Sequence, residues 1–170
     1  SYDERYVFKS LTPKEYQFLQ DIMLSYYQHL CANPDTLLVR FMSVYTIRYA
    51  QQDRDREIQK EIHFLCMSHV LPPSTPTTER YDVKGSVKGR RATEEERKKP
   101  NVVLKDLDWA RHLHLGPQLT SVFLTQLAKD CSWLRQHRIM DYSFLLFINT
   151  TPPPRNAIPV SKAGYGTSVF

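Results

Sequence analysis

Two short polar segments contain the residues best suited to chemistry. The segment 82–86, Asp-Val-Lys-Gly-Ser, places a lysine beside a glycine and a serine. Glycine lets the backbone approach a ligand closely and lysine supplies a point charge, so this combination can hold a phosphate. Asp141, in the segment 139–143, supplies a carboxylate that could orient a hydroxyl group and accept its proton. Together the two segments suggest a phosphate-handling site with a separate acid/base residue.

Each of these residues also has a plainer interpretation. The segment 82–86 is not a Walker loop, because the glycine-rich run before the lysine is missing, and an ordinary turn has the same composition. Asp141 could be a turn aspartate that accepts backbone N–H bonds, since the His-Arg-Asp signature of protein kinases is absent. Lys9, in the middle of a predicted strand, could hold an anionic phosphate or extend into solvent.

Positive charge dominates the stretch that follows Asp82. The chain has a net charge of +5 and an isoelectric point of about 9.1, which favours a phosphorylated ligand, an anionic membrane or nucleic acid as partner. No zinc-finger spacing, basic zipper or aromatic RNA-binding signature supports nucleic acid. A solvated charged loop is the alternative, since the acids 94–96 offset part of the charge. The basic residues of this block are Lys88, Arg90, Arg91, Arg97, Lys98 and Lys99.

The cysteines and the apolar runs limit the cellular setting. The three cysteines are widely spaced and no close Cys or His pair suggests a metal site, so we expect reduced thiols in the cytoplasm. No apolar run approaches the roughly 18 residues that cross a bilayer. The amino terminus has no initiator Met and no signal peptide and enters strand-like sequence directly, so we expect the chain to be a fragment.

The periodicity of the chain predicts the elements that position these residues. Thr12-Pro13-Lys14-Glu15 is a helix start with a capping box, and an apolar face then continues to Asn33. The other predicted elements are strands at 5–11, 37–49 and 62–70, a charged hairpin connection at 51–60, a linker at 71–78, a strand at 102–104, a helix at 117–137 and a strand at 144–148. This order predicts an α+β fold with two lobes, antiparallel sheets and packed helices, a layout that suits a ligand cleft between lobes.

The ordered set of motifs resembles the phosphatidylinositol phosphate kinases. Tyr6–Ser10, Tyr81–Ser86, Leu104–Asp108 and Ile139–Ser143 occur in the order found in that family, and the resemblance covers residues 1–149. The third motif is more similar to the type I and II branches, which act on monophosphates, than to type III. The resemblance implies a fold distantly related to protein kinases and incomplete at both ends. It assigns 1–71 to the N-lobe and 79–149 to the central and catalytic-loop part. Residues 150–170 contain proline and glycine without periodicity, so we expect a disordered tail or insert there.

The resemblance also implies residue roles. Asp141 resembles the catalytic aspartate, and Lys9 resembles the lysine that contacts the ATP phosphates. Arg90, Lys105 and Lys84 match basic positions that the family uses near the phosphate of the lipid headgroup. The implied reaction uses ATP and Mg²⁺ to phosphorylate an inositol-ring hydroxyl of a phosphatidylinositol monophosphate. The implied setting is the cytosolic face of the plasma membrane, where a flat basic face lies on anionic lipid, with a homodimer or a kinase relative as further partners.

Departures from the family pattern keep a second class of function open. Phe8-Lys9-Ser10 stands where the family usually has Ile-Lys-Thr, and the glycine-rich strand before Lys9 is missing. The second magnesium-binding aspartate and the activation segment lie, in the family, beyond the present carboxyl end. Because phosphoryl transfer needs metal ions to neutralise developing charge, this chain alone is expected to be inactive or severely impaired. The alternative is a catalytically inactive scaffold that binds anionic lipid or a catalytic relative.

Overall fold

A computed structural model describes residues 3–53, 56–71, 75–149 and 166–168. The chain divides into two compact units. The first contains Ser1–Pro34 and Arg40–His69, and the second contains Asp35–Val39 and Val70–Phe170. The fold is α+β, as predicted, with one small sheet in each unit, and the described residues form three α-helices and one 3-10 helix.

The first unit packs one helix on an antiparallel sheet. Strands β1 (Tyr6–Leu11), β2 (Phe41–Asp53) and β3 (Arg56–Ser68) lie in the order β1-β3-β2. Helix α1 (Pro13–Ala32) has the predicted capping box and buries Leu19, Ile22 and Tyr26, whose spacing of three and four residues forms one helical face. The ring of Tyr16 on α1 stacks on His63 of β3 at 3.9 Å. This contact fixes which face of the sheet the helix covers.

The predicted hairpin connection at 51–60 is too long, because β2 and β3 extend into this segment. β2 and β3 continue as a paired ladder up to Asp53, which lies opposite Arg56. The density of charge made the segment look like a loop, but an exposed antiparallel ribbon can pair polar residues across its strands. One such cross-strand ion pair joins Arg48 and Glu61 at 2.6 Å. The predicted strand at 37–49 also begins too early, because β2 starts at Phe41.

The second unit contains a sheet with mixed strand directions. Strands β4 (Glu79–Val83), β5 (Val103–Lys105), β6 (Ser143–Ile148) and β7 (Gly166–Ser168) lie in the order β5-β4-β6-β7. β4 and β6 are antiparallel, but β4 and β5 are parallel, so the prediction of purely antiparallel sheets is wrong here. The connection 84–102, which contains the basic block, is long enough to return the chain for parallel pairing.

A buried carboxylate joins helix α3 (Pro117–Gln136) to the segment Asp35–Val39 of the same unit. Asp130, 1% exposed, accepts hydrogen bonds from the Thr36 hydroxyl at 2.6 Å and from the Leu37 N–H group at 2.8 Å. The Gln126 amide donates a third at 3.0 Å. The sequence predicts the helix but not this polar buried site on it.

Two further expectations concern the carboxyl-terminal residues and membrane-spanning helices. The predicted tail or insert at 150–170 lies outside the described residues except for β7, which pairs with β6. Within the described residues, no helix is long and apolar enough to span a membrane.

Candidate functional site

Lys9 in the first unit forms an ion pair with the first turn of α1. Its Nζ atom lies 3.2 Å from Oε1 of Glu15. The other oxygen of Glu15 accepts the Thr12 N–H group at 2.7 Å, which completes the capping box. Hydrogen bonds from Thr12 and then from Lys9 lower the pKa of Glu15 to about 2, so this carboxylate is ionised at neutral pH. The cap therefore holds a permanent negative charge beside Lys9.

This geometry suits a phosphate-binding lysine. The Lys9 side chain is 33% exposed, so it contacts solvent while it is paired with Glu15. In protein kinases, a strand lysine that contacts the ATP phosphates is oriented by a helix glutamate in an ion pair of this kind. Sequence reasoning identified Glu15 only as a capping residue. The signal for its second role is its position six residues after Lys9, across a tight turn from strand to helix.

The end of α3 determines where Asp141 lies. The chain leaves the helix through a Schellman motif, in which the N–H groups of Arg138 and Ile139 donate to the carbonyls of Arg135 and Leu134. Arg138 has the positive φ, 55°, that this motif requires. Three residues later the chain reaches Asp141, which is exposed and precedes β6. Asp141 therefore lies on a short, defined connection between helix and strand.

Asp141 itself has a left-handed backbone conformation. Its φ is 59°, a region that costs most side chains energy but that aspartate and asparagine tolerate better than most. Such conformations cluster at functional sites. The next residue, Tyr142, points back to α3, where burial and then Cys131 raise the pKa of its hydroxyl group. The structure thus anchors the neighbour of Asp141 and leaves the carboxylate exposed.

The turn that follows β4 is organised by a carboxylate from the 3-10 helix Asp106–Asp108. Oδ1 of Asp106 accepts the N–H groups of Lys84 at 2.9 Å, Gly85 at 2.7 Å and Ser86 at 3.4 Å. Gly85 has a φ of 70°, which glycine adopts without strain. The amide groups that would cradle a phosphate in a Walker loop already bind the protein's own carboxylate. Lys84 can therefore act only through its exposed side chain.

Arg90 joins this turn to strand β4. Its Nε atom donates to Asp106 at 2.7 Å, and a terminal nitrogen donates to the Asp82 carboxylate at 2.8 Å and to the Asp82 carbonyl. The Arg90 side chain is only 15% exposed. Burial alone would raise the pKa of Asp106, but the bonds from Arg90, Gly85 and Lys84 lower it to about 2. Arg90 therefore has two carboxylate partners within the protein.

Lys105 lies at the edge of a cavity of about 430 Å³. Its Nζ atom lies 3.3 Å from both carboxylate oxygens of Glu96, at the end of the short helix α2 (Glu94–Arg97). Asp108 accepts the N–H groups of Ala92 and Lys105 and so holds this wall in place. The cavity is lined by Asp82, Glu96, Lys99, Pro100, Asn101, Val102, Val103 and Lys105.

The second sheet brings most of the candidate residues to one of its ends. β4 and β5 are parallel and pair Asp82 with Lys105, so both strands finish at the same end. β6 runs in the opposite direction and pairs Phe144 with Val83, so it starts at that end. Lys84, Lys105 and Asp141 therefore lie at one sheet end, with Arg90 joined to it through Asp82. Lys9 belongs to the other unit.

Several basic side chains near this sheet end form no ion pair with any residue that the structure describes. Among the residues that the structure describes, four exposed lysines of the connection 84–102 form no ion pair with a carboxylate. They are Lys84, Lys88, Lys98 and Lys99. Arg90, Arg97 and Lys105, in contrast, are each paired with an acid. Over the same described ranges, no group of three His, Cys, Asp or Glu side chains could hold a metal ion.

Comparisons with known proteins place this geometry in context. The family model described as phosphatidylinositol-4-phosphate 5-kinase matches residues 1–163. A Dictyostelium discoideum protein named as a probable phosphatidylinositol phosphate kinase is 34% identical over 152 residues, which is 88% of this chain and 20% of that protein. The phosphatidylinositol 4-phosphate 5-kinase its3 of Schizosaccharomyces pombe is 33% identical, over 88% of this chain and 20% of its own length. The human type-1 alpha phosphatidylinositol 4-phosphate 5-kinase is 35% identical, over 88% of this chain and 26% of its own. The chain thus spans a fifth to a quarter of these relatives.

Proposed function

Because the chain belongs to the phosphatidylinositol-4-phosphate 5-kinase family, we propose that it forms part of the catalytic domain of a lipid kinase. The reaction is transfer of the γ-phosphate of ATP to an inositol-ring hydroxyl of a phosphatidylinositol monophosphate, which gives a bisphosphate. The observation that carries this proposal is the sheet end that brings the exposed Asp141 together with Lys84 and Lys105. A carboxylate at the same sheet end as positively charged side chains suits phosphate transfer to a hydroxyl of an anionic substrate.

Asp141 orients the attacking hydroxyl and accepts its proton. The left-handed conformation that presents its carboxylate supports this role, as does the anchoring of Tyr142. Lys105 and Lys84 contact the existing phosphate of the headgroup. We assign Arg90 a positioning role within this site, because its guanidinium group already binds Asp82 and Asp106. Direct contact of Arg90 with the headgroup stays a prediction.

Lys9 holds the phosphates of ATP, and Glu15 orients Lys9. Their ion pair supports a nucleotide site in the first unit, since the same pairing orients the phosphate-binding lysine in protein kinases. Bound Mg²⁺ would neutralise charge on the transferring phosphoryl group. Among the described residues no group of three His, Cys, Asp or Glu side chains could hold a metal ion, so we assign no magnesium ligand to this chain.

Phosphate transfer tests the role of Asp141. We expect the longest natural protein that contains this chain to transfer label from ATP to vesicles that contain phosphatidylinositol 4-phosphate. Asp141→Asn keeps a residue that tolerates the left-handed conformation but removes the base, so the rate should fall by about 10²- to 10⁴-fold. Asp21→Asn makes the same change on an exposed turn of α1 and should leave the rate unchanged. Equal rates in wild type and Asp141→Asn would refute the assignment.

The second candidate function is a catalytically inactive scaffold on anionic membranes. The four exposed lysines of the connection 84–102 support it, since no described carboxylate pairs with them and their positive charge suits anionic lipid whether or not phosphate is transferred. A scaffold would bind phosphoinositide vesicles at the cytosolic face of the plasma membrane without transferring label, and would do so equally well after Asp141→Asn. A homodimer or a catalytic relative would be its protein partner. Failure to sediment with such vesicles would exclude it.

A further inference from the structure

Glu96 occupies the position that an anion would take beside Lys105. Its two oxygens lie 3.3 Å from the lysine Nζ atom, at the cavity described above. The Glu96 side chain is 39% exposed and that of Lys105 is 24% exposed, so solvent and solutes reach the pair. A ligand that binds Lys105 must therefore compete with a carboxylate of the protein itself.

This carboxylate is anchored independently of Lys105. Oε2 of Glu96 accepts the Thr93 N–H group at 2.8 Å, and the Thr93 hydroxyl accepts the Glu96 N–H group at 3.1 Å. These bonds form the capping box of α2. Glu96 thus stays in place when the flexible lysine side chain turns to a ligand. Hydrogen bonds from Thr93 and then Lys105 also lower its pKa, so it remains ionised at neutral pH.

The charges around the cavity indicate which anions can replace the Glu96 carboxylate beside Lys105. Arg90 already neutralises Asp82 on the cavity wall, while Lys99 forms no ion pair among the described residues and can give an incoming anion a second contact. A phosphate monoester carries about 1.5 to 2 negative charges at neutral pH, whereas a carboxylate or a phosphodiester carries one. An anion with a single charge gains little by replacing Glu96, but a monoester gains a stronger interaction with both lysines.

We propose that Glu96 is a specificity-determining residue, an internal competitor that admits phosphomonoesters to Lys105 and rejects lipids with one negative charge. The inference rests on the proposed headgroup site and adds to it the element that excludes the wrong ligand. The shared chemistry is the monoester group, whether it belongs to a membrane lipid or to a soluble inositol phosphate.

Vesicle binding by the full chain tests this proposal. One set of vesicles contains phosphatidylcholine with phosphatidylinositol 4-phosphate, and the other contains phosphatidylserine at matched surface charge. In Glu96→Gln, binding to phosphatidylserine should rise more than binding to phosphatidylinositol 4-phosphate, and the ratio of the two affinities should fall about two- to fivefold. Glutamine also serves in a capping box, so α2 is retained, and an unchanged unfolding midpoint checks this.

Matched variants separate the pairwise contact from general charge. Glu95→Gln removes the same charge from the neighbouring position of α2 and should leave the affinity ratio unchanged. Lys105→Met should weaken binding to phosphatidylinositol 4-phosphate, and in that background Glu96→Gln should no longer alter the ratio. Soluble inositol 1,4-bisphosphate should compete for the Lys105-dependent binding, which distinguishes monoester recognition from contact with the membrane surface.

Each contrary result has a distinct meaning. If Lys105→Met weakens binding but Glu96→Gln behaves like Glu95→Gln, the competitor role is wrong and the headgroup site remains. If Lys105→Met has no effect on either vesicle, both the headgroup site and the competitor role are wrong. If inositol 1,4-bisphosphate fails to compete, Lys105 interacts with the general negative charge of the membrane surface. The selectivity proposed for Glu96 is then also wrong.

Discussion

Lys9 and Arg90 are both cations beside carboxylates, but their surroundings differ. Lys9 forms an ion pair with Glu15, and its side chain is 33% exposed. Arg90 contacts two carboxylates and a carbonyl and is 15% exposed. The Lys9 side chain thus keeps contact with solvent, whereas the Arg90 guanidinium group is largely enclosed by groups of the protein. The family resemblance implies phosphate binding for both, and the exposure of the two side chains is what distinguishes them.

Of the changes to these two cations, replacement of Arg90 is expected to have the largest effect on stability. Arg90→Met leaves Asp82 and Asp106 near each other without their cation, and loss of one partner from a buried ion pair typically destabilises by several kcal/mol. We expect the free energy of unfolding of the second unit to fall by about 3 kcal/mol. Both tryptophans, Trp109 and Trp133, lie in that unit, so fluorescence during urea unfolding measures it. A loss below about 0.5 kcal/mol, the usual effect of a surface substitution, would show that Arg90 is free for ligands.

Acid should weaken the same network by a smaller amount. The pKa of Asp106 is about 2 in the folded state, below its ordinary value of 3.8. A lowered folded pKa gives stability that is present above the unfolded value and is lost as pH falls towards the folded value. We expect Asp106 to contribute about 2 kcal/mol at neutral pH and to lose it between pH 4 and pH 2.

Asp106→Asn provides the control for this pH dependence. The variant should be less stable than wild type at pH 7, and the difference should shrink as the pH approaches 2, because the wild-type carboxylate is then protonated. Urea titrations at a series of pH values, followed by tryptophan fluorescence, measure the difference. A constant difference across this range would mean that Asp106 stabilises the turn at 84–86 without its charge.

The smallest expected effect on stability is at Lys9. Exposed ion pairs contribute at most about 1 kcal/mol, so Lys9→Met should change hydrogen-exchange protection of the α1 amides only slightly. The same variant should lose binding of a fluorescent ATP analogue, whereas Lys14→Met, an exposed lysine in the first turn of α1, should retain it. A large loss of hydrogen-exchange protection in Lys9→Met would show that Lys9, like Arg90, mainly stabilises the fold.

Local patterns in the sequence predicted the elements better than the contacts. The capping box and apolar face of α1 were predictable, because both signals lie within a few turns of the helix. The pairing of the strands β2 and β3 within 51–60 was not, because composition does not show which residues pair across two strands. The strand β4 was missed for a related reason, since only Tyr81 among its five residues is buried.

For the site residues too, the sequence motifs were predictable and the contacts between distant residues were not. Asp141 could be identified from its motif, but its conformation depends on how α3 ends. The capture of the turn 84–86 by Asp106 involves residues about twenty positions apart, and no local signal reports it. The pairing of Glu96 with Lys105 likewise depends on the fold of the whole connection 84–102.

The grouping of Asp35–Val39 with the second unit bears on the order in which this chain can fold during synthesis. The carboxylate of Asp130 pairs with Leu37, a residue made 93 positions earlier. Until the ribosome has added α3, the segment at 35–39 has no buried partner, so its three apolar residues, Leu37, Leu38 and Val39, are exposed to misfolding or to chaperones. The same dependence governs truncation. A fragment that starts at Val70 would bury Asp130 without the donors from Thr36 and Leu37, so the second unit is best expressed together with the chain that precedes it.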